Sequence, residues 1–173
     1  MVTRVATNVA VKTKPTMRQR IQILFFSLLL ATTFASCNKS VFYSNDQRVD
    51  DKGWNMNDKR YFEVEVTDTL RLYTFFFDLR VSQDYAWDRA FFFINTTFPD
   101  GSVAKDTLGC PLAEPDGRWY GKRTGKYIDN RYVFRSNMIF PTTGTYRFEI
   151  AHAMRDTNIV GIKNVGLHIE YSK

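Results

Sequence analysis

Histidine and cysteine are scarce in this chain, with two of each in 173 residues, and that scarcity closes off several chemistries. His152 and His168 lie in strand-like segments, and no Cys-x-x-Cys or His-x-x-x-His spacing exists, so no metal site is expected. No cofactor is expected either, because no glycine-rich loop is placed to cradle a phosphate. A Ser-His-acid set would have to use one of those two histidines, and neither stands in a recognisable nucleophile context. Cys110, between Gly109 and Pro111, has no histidine near it in sequence and reads as a small, partly buried residue rather than a thiol nucleophile. Also missing are internal repeats, low-complexity tracts and any long stretch of helical spacing.

A basic excess is present, yet it sits in one place. The net charge of +6 and a pI near 9.4 invite a nucleic-acid reading. Arg4, Lys12, Lys14, Arg18 and Arg20 supply five of the 24 basic residues, however, and residues 1–36 hold none of the 18 acidic ones. From residue 37 onward 19 basic groups face 18 acidic groups. The densest remaining cluster, Arg118, Lys122, Arg123 and Lys126, is interleaved with glycines as a solvated loop, so nucleic acid is not an expected partner.

What stands in that basic segment is Met17 to Cys37, MRQRIQILFFSLLLATTFASC. Arg18 and Arg20 precede an apolar run from Ile21 to Leu30, broken by Gln22 and Ser27, and Ala35-Ser36 supply the small residues that a signal peptidase accepts. The order describes a bacterial lipoprotein signal, with Cys37 as the lipidated first residue of the mature chain. Phe34 stands where a strict lipobox has Leu, and the competing reading is an ordinary secretory signal in which Cys37 is incidental. Fifteen residues from Ile21 to Ala35 fall short of the roughly 20 that span a bilayer. Met1 to Thr16 resemble an overlong gene start, with Met17 as the true one. The expected organisation is therefore a signal over 1–36, a lipidated cysteine and polar tether over 37–58, and one folded domain over 59–173.

Within that domain the apolar residues alternate with period two. Phe62, Val64 and Val66 face one way and Tyr61, Glu63 and Glu65 the other; Tyr73, Phe75, Phe77, Leu79 and Val81 form the next inward face, and Phe92, Ile94, Thr96 and Phe98 another. Phe98-Pro99-Asp100-Gly101 is a turn that returns the chain as a hairpin. Further strands are expected at Tyr132 to Phe134, Met138 to Phe140, Tyr146 to Ile150 and Val165 to Tyr171. About eight such strands predict an all-β, single-domain antiparallel sandwich, either immunoglobulin-like or a jelly-roll-like Greek key. Tyr146, following the Gly144 turn at a strand start, has the setting of a tyrosine corner.

Aromatic residues make up 16% of the chain, and the alternation leaves Phe76, Phe91 and Phe93 pointing away from the first core face. Either a second layer covers them or they form an exposed patch for a partner. Trp54, Trp87, Trp119, Tyr85 and Tyr120 lie in or near expected loops, where rings either stack on sugars or close the ends of a sandwich. Trp119 is the leading candidate for a partner contact: it follows the Pro115-Asp116-Gly117 turn, with Arg118, Tyr120 and Lys122 beside it. The alternative is that Trp119 folds back over the sandwich end. Glu63 and Glu65 share a strand face and could divide acid and base roles, although spaced glutamates on a solvent face are an ordinary solubility pattern.

Six segments taken in order, FPDG at 98–101, KDTL at 105–108, LAEPDGRWYGK at 112–122, FPTTGTYRFEI at 140–150, AMRD at 153–156 and GIKNVGLHIE at 161–170, resemble the GldH family of gliding-motility lipoproteins from Bacteroidetes. The resemblance runs from Cys37 almost to the C-terminus. It implies an envelope lipoprotein that supports gliding machinery or type IX secretion through other envelope proteins, with no catalytic residues to carry over. A glycan-binding module and a hydrolase are the second and third readings. Asn38-Lys39-Ser40 carry no acidic run of the kind expected for surface export, which favours the periplasmic face of the outer membrane.

Overall fold

Strand alternation dominates the computed structural model, which describes residues 17–18 and 40–172. Contacts divide the chain into two units, Met1–Asn38 and Lys39–Lys173. Cys37 and all but two residues of the expected signal lie outside the described residues. Among the described residues no helix is long and apolar enough to cross a membrane.

Among the described residues eleven strands follow in order: β1 (Val41–Arg48), β2 (Trp54–Asn55), β3 (Arg60–Val66), β4 (Tyr73–Ser82), β5 (Arg89–Thr97), β6 (Val103–Pro111), β7 (Lys122–Thr124), β8 (Tyr127–Met138), β9 (Gly144–His152), β10 (Asn158–Ile159) and β11 (Ile162–Tyr171). One sheet runs β1-β11-β4-β8-β7, a second runs β3-β9-β5-β6, and β2 pairs with β10 apart from both. Every ladder is antiparallel. With the short β2, β7 and β10 set aside, eight principal strands remain. Counted along the chain, they stand first-eighth-third-sixth in one sheet and second-seventh-fourth-fifth in the other. That interleaving is the double Greek key of a jelly roll, and it differs from the immunoglobulin strand order.

The expected inward faces are the buried ones, except toward the end of β5 and just past it, where Thr96 and Phe98 are only partly buried. Phe62, Val64 and Val66 of β3, Tyr73 to Val81 at alternate positions of β4, Phe92 and Ile94 of β5, and Tyr146, Phe148 and Ile150 of β9 form one core with Val165, Leu167 and Ile169 of β11. Much of the aromatic content is spent here: Phe140 lies 4.8 Å from Tyr73, 5.4 Å from Phe75 and 4.7 Å from Tyr146, ring to ring. Tilted and edge-on ring pairs of this kind add about 0.5–1.5 kcal/mol each beyond the area they bury. At Phe98–Gly101 the Gly101 N–H donates to Phe98 O (2.9 Å), and Gly101 adopts φ +82°, a conformation costly for any residue with a β-carbon. The tyrosine corner is present as well: the Tyr146 hydroxyl donates to Thr142 O (2.8 Å) and accepts from Thr142 N–H (3.2 Å).

Residues 41–58 are not the expected tether. β1 pairs with β11 from Val41 to Arg48, and Val49 and Trp54 are fully buried, so the folded region begins near Ser40 rather than Lys59. The Trp54 indole donates to Asp58 O at 2.5 Å and its ring stands 5.8 Å from Phe92. A sheet-edge strand buries little of itself, so its sequence, VFYSNDQR, carries too few apolar residues to announce a strand.

Candidate functional site

The ladders sort the loops into two ends. Val41, Glu170, Thr74 and the C-terminal end of β8 share one end with the 67–72, 98–102 and 139–143 connections. Arg48, Asn164, Arg80 and Asp129 mark the other, with the 83–88, 112–121 and 153–157 connections. The first is the terminal end, since both ends of the folded chain leave from it; the second is the far end.

Trp119 lies at the far end. Its loop is a small hairpin, closed by Glu114 N–H to Arg118 O (2.8 Å), Gly117 N–H to Glu114 O (2.9 Å) and Tyr120 N–H to Leu112 O (2.9 Å). Trp119, bridged to Ala113, is half-buried and packs against the core, so it has the packing duty that the leading expectation denied it. Arg118 and Tyr120 are exposed beside it. Glu114 pairs with the Arg118 guanidinium at 3.5 Å, and a hydrogen bond to the Glu114 carboxylate raises the Tyr120 phenol above its ordinary pKa.

Phe91 and Phe93 occupy the outer face of the four-stranded sheet, two residues apart, and remain 39% and 49% exposed. A β-carbon at Gly109, opposite Phe91 in the ladder, would stand 3.2 Å from the Phe91 ring, so that ring lies over the glycine. Among the described residues no second layer covers this pair. On the same face Arg147 stacks over Tyr61 at 4.2 Å, and Glu149 accepts from Asn95 Nδ2 and Lys59 Nζ, both at 2.9 Å.

Phe76 is different. It stands on the outer face of the five-stranded sheet, half-buried, with the His168 ring 5.8 Å away and the Arg131 guanidinium 5.5 Å from its centroid. Beside it is a charged trough of about 330 Å³, lined by Asp46, Asp78, Arg80, Asp129, Arg131 and Asn164. Register builds it: Asp78 faces Arg131 and Arg80 faces Asp129 across β4 and β8, while Gly166 lies between Asp78 and Asp46. Arg131 grips Asp78 through two bonds of 2.6 and 2.7 Å, and Arg80 reaches Asp129 at 2.5 and 3.2 Å. A β-carbon at Gly166 would stand 2.1 Å from Asp46 Oδ1, so the glycine makes room for that carboxylate. Burial and the nearby Asp78 raise the Asp46 pKa, against the pull of Arg131, Arg80 and His168. Sequence reasoning passed over these residues; the signal for them was the alternate charges Asp78, Arg80 and Asp129, Arg131 within two strands.

The residues weighed for chemistry do not converge. Burial pushes the Cys110 thiol up to about 12, which removes the thiolate at neutral pH. Burial also lowers the His152 pKa and favours its neutral ring. His168 Nε2 lies 2.9 Å from Glu170 Oε1. Glu63 and Glu65 are exposed on the outer face, where Thr145 donates to Glu65 at 2.9 Å. Among the described residues no group of His, Cys, Asp and Glu is arranged to hold a metal.

Fold and surface thus define a jelly-roll sandwich with an exposed aromatic pair and a charged outer trough. Within that class the chain belongs to the GldH lipoprotein family, whose model matches residues 41–169. It is 29% identical to the gliding motility lipoprotein GldH homolog of Christiangramia forsetii over 157 residues, covering 87% of this chain and 94% of that one. It is 26% identical to the gliding motility lipoprotein GldH of Flavobacterium johnsoniae over 150 residues, covering 83% and 92%. Two solved structures align more loosely: dimeric latent PorU from Porphyromonas gingivalis (TM-score 0.32, 9% identity, 77% of this chain and 13% of that one) and the infectious bursal disease virus VP2 subviral particle (0.34, 13%, 75% and 32%). At those scores they carry no argument.

Proposed function

We propose that this protein is a lipid-anchored, non-catalytic component of the cell envelope that supports gliding motility, and the type IX secretion route, by holding another envelope protein. Membership of a family named for gliding-motility lipoproteins supports the pathway. The observation that carries the mode of action is the uncovered Phe91–Phe93 pair, flat aromatic surface on a sheet whose other face is already used by the core. Rigid aromatic rings of this kind dominate interface energetics at small entropic cost. Tyr120 and Arg118 at the far end offer a second patch of the same chemistry.

Lipidation at Cys37 provides the anchor in this reading. Each buried methylene contributes about 0.8 kcal/mol, so two or three acyl chains anchor the protein stably, in this reading on the periplasmic face of the outer membrane. Cys37→Ser removes the sulfur that accepts the diacylglycerol, and fractionation of cells should find that variant released or unprocessed. Unchanged attachment and mass would sink the anchor. For the partner surface, the test is a Phe91→Ala, Phe93→Ala double variant introduced into cells lacking the native gene. Normal protein level with loss of colony spreading and of crosslinked partners is expected; full spreading with the same partners would refute the aromatic site.

One observation favours a second reading. A polar trough of 330 Å³ flanked by Phe76 on a jelly-roll face suits a cell-wall glycan, with Asp46 and Arg131 as hydrogen-bonding groups. Glycan-array binding that disappears in Arg131→Ala would support it, and an array without signal for the native chain would remove it.

A further inference from the structure

The terminal end of the sandwich carries aliphatic side chains that the core does not use. Leu70 is 92% exposed and Ile139 56%, and Leu72 and Met138 are exposed as well. Two connections bring them together: Tyr73 pairs with Met138 in the β4–β8 ladder, so Leu72 and Ile139 each lie one residue beyond that pair. The C-terminal strand closes the same rim, with Ser172 N–H donating to Leu72 O (2.8 Å) and Tyr171 N–H to Ser40 O (2.8 Å). Arg71, between the two leucines, stacks on the Tyr171 ring at 4.6 Å and pairs with Asp68 at 3.0 Å, so its charge is held beside an aromatic face. Elsewhere the exposed surface is aromatic, charged or scattered. Here it is aliphatic, with the Arg71–Asp68 pair and one tyrosine beside it, a mixture suited to lipid headgroups and the first acyl carbons.

We propose that this rim, Leu70, Leu72, Met138 and Ile139, seats on the lipid bilayer. The proposal rests on the reading of Cys37 as the lipidated residue. The occupant follows from chain length: from Cys37 to Ser40, which is tied to Tyr171, there are three residue steps. Those steps reach at most about 11 Å. The headgroup layer on each side of a bilayer is about 5–7 Å thick. A lipid on Cys37 therefore holds the terminal end at the membrane surface, too close for a protein partner to slip between. The apolar rim then acts as the second membrane signal beside the acyl chains, and it orients the long axis of the sandwich so that the far end points away from the bilayer.

The test uses the full-length chain, made in a host that processes lipoproteins and reconstituted into vesicles of phosphatidylcholine and phosphatidylglycerol. Nitroxide labels are placed through Leu70→Cys and Ile139→Cys at the rim and Val160→Cys, which is exposed at the far end. Cys110 is buried and stays unlabelled. Labels at 70 and 139 should collide more often with oxygen than with an aqueous nickel chelate, and the label at 160 should show the reverse. Intact mass separates the two ways of failing. Lipid on Cys37 with rim labels as aqueous as the one at 160 overturns the seating and leaves the anchor standing. An unlipidated Cys37 overturns both. Rim labels shielded from both reagents, with dipolar coupling between labels that strengthens with protein density, would assign the rim to a second copy and also overturn the proposal.

Discussion

The two ends of the sandwich solve the same closure problem with different means. At the terminal end the connections are short, and two of the three are pinned by a phenol from the adjoining strand: Tyr73 donates to Asp68 O (2.7 Å) and Tyr146 to Thr142 O (2.8 Å). Aromatic rings fill the space beneath, which leaves aliphatic side chains outside. At the far end the 83–88 connection is as short, but the others supply structure of their own, the β2–β10 pair and the 112–121 hairpin, with Trp54 sealed inside and Trp119 half-buried. Short loops have few backbone groups to satisfy and expose little beyond their side chains; long loops must bring partners for their own amides and so present polar, amphipathic surface. The two ends consequently differ in the surface they present, aliphatic side chains at one and polar, amphipathic loops at the other.

If both ends contribute equally to the core, Trp54→Ala and Tyr146→Ala should each cost about 3–5 kcal/mol, because either leaves a cavity among well-packed rings. Denaturant unfolding measures both. A Trp54→Ala cost under about 1 kcal/mol would show that the far end is a cap on an independent core. Next in size is Trp119→Ala, which should cost about 1–2 kcal/mol, since a half-buried ring recovers only part of the roughly 3 kcal/mol of a fully buried one. Urea midpoints read the loss. A fully intact melting temperature would free Trp119 of its packing role and restore it as a partner contact alone.

Tyr146→Phe isolates the pinning bond at the terminal end and should cost about 1 kcal/mol. An unchanged melting temperature would reduce the corner to ring packing. The smallest effect separates the ends by pH. Asp129, near the far end, is held below the usual carboxylate range by its hydrogen bond to Arg80, and Asp100, at the terminal end, by its bond to Ser102. A depressed folded pKa gives stability that is present above the ordinary value of 3.8 and lost as pH falls through the folded value. Melting temperature should therefore fall as pH drops below about 4. Arg80→Met should flatten the Asp129 share and leave the Asp100 share in place, and an identical profile in the variant would deny Arg80 that role.

Legibility in the sequence followed burial. β3, β4, β5 and β9 were readable because one face of each is mostly buried, so side chains must alternate. The Tyr146 corner was readable because its glycine turn and phenol lie within a few residues of each other. β1 was not: its edge position relaxes the alternation, and Ser44, Asn45 and Asp46 read as linker. Trp54 read as a loop residue for the same reason, since what buries it, Phe92 at 5.8 Å and His152 at 5.7 Å, is distant in sequence.

For the candidate surfaces the division is sharper. That Phe91 and Phe93 face away from the core follows from period two alone, a covalent property of extended chain. The expected signal, the proposed lipidation of Cys37 and the absence of metal-ligand spacing likewise rest on local patterns. Whether anything covers those rings, which loops share an end with the chain termini, and that Asp46, Asp78, Arg80, Asp129 and Arg131 line one trough were decided by the tertiary structure. In a jelly roll, neighbours in a sheet come from distant parts of the chain. Register between such strands is set by the summed burial of both sheets, and no stretch of sequence carries that sum by itself.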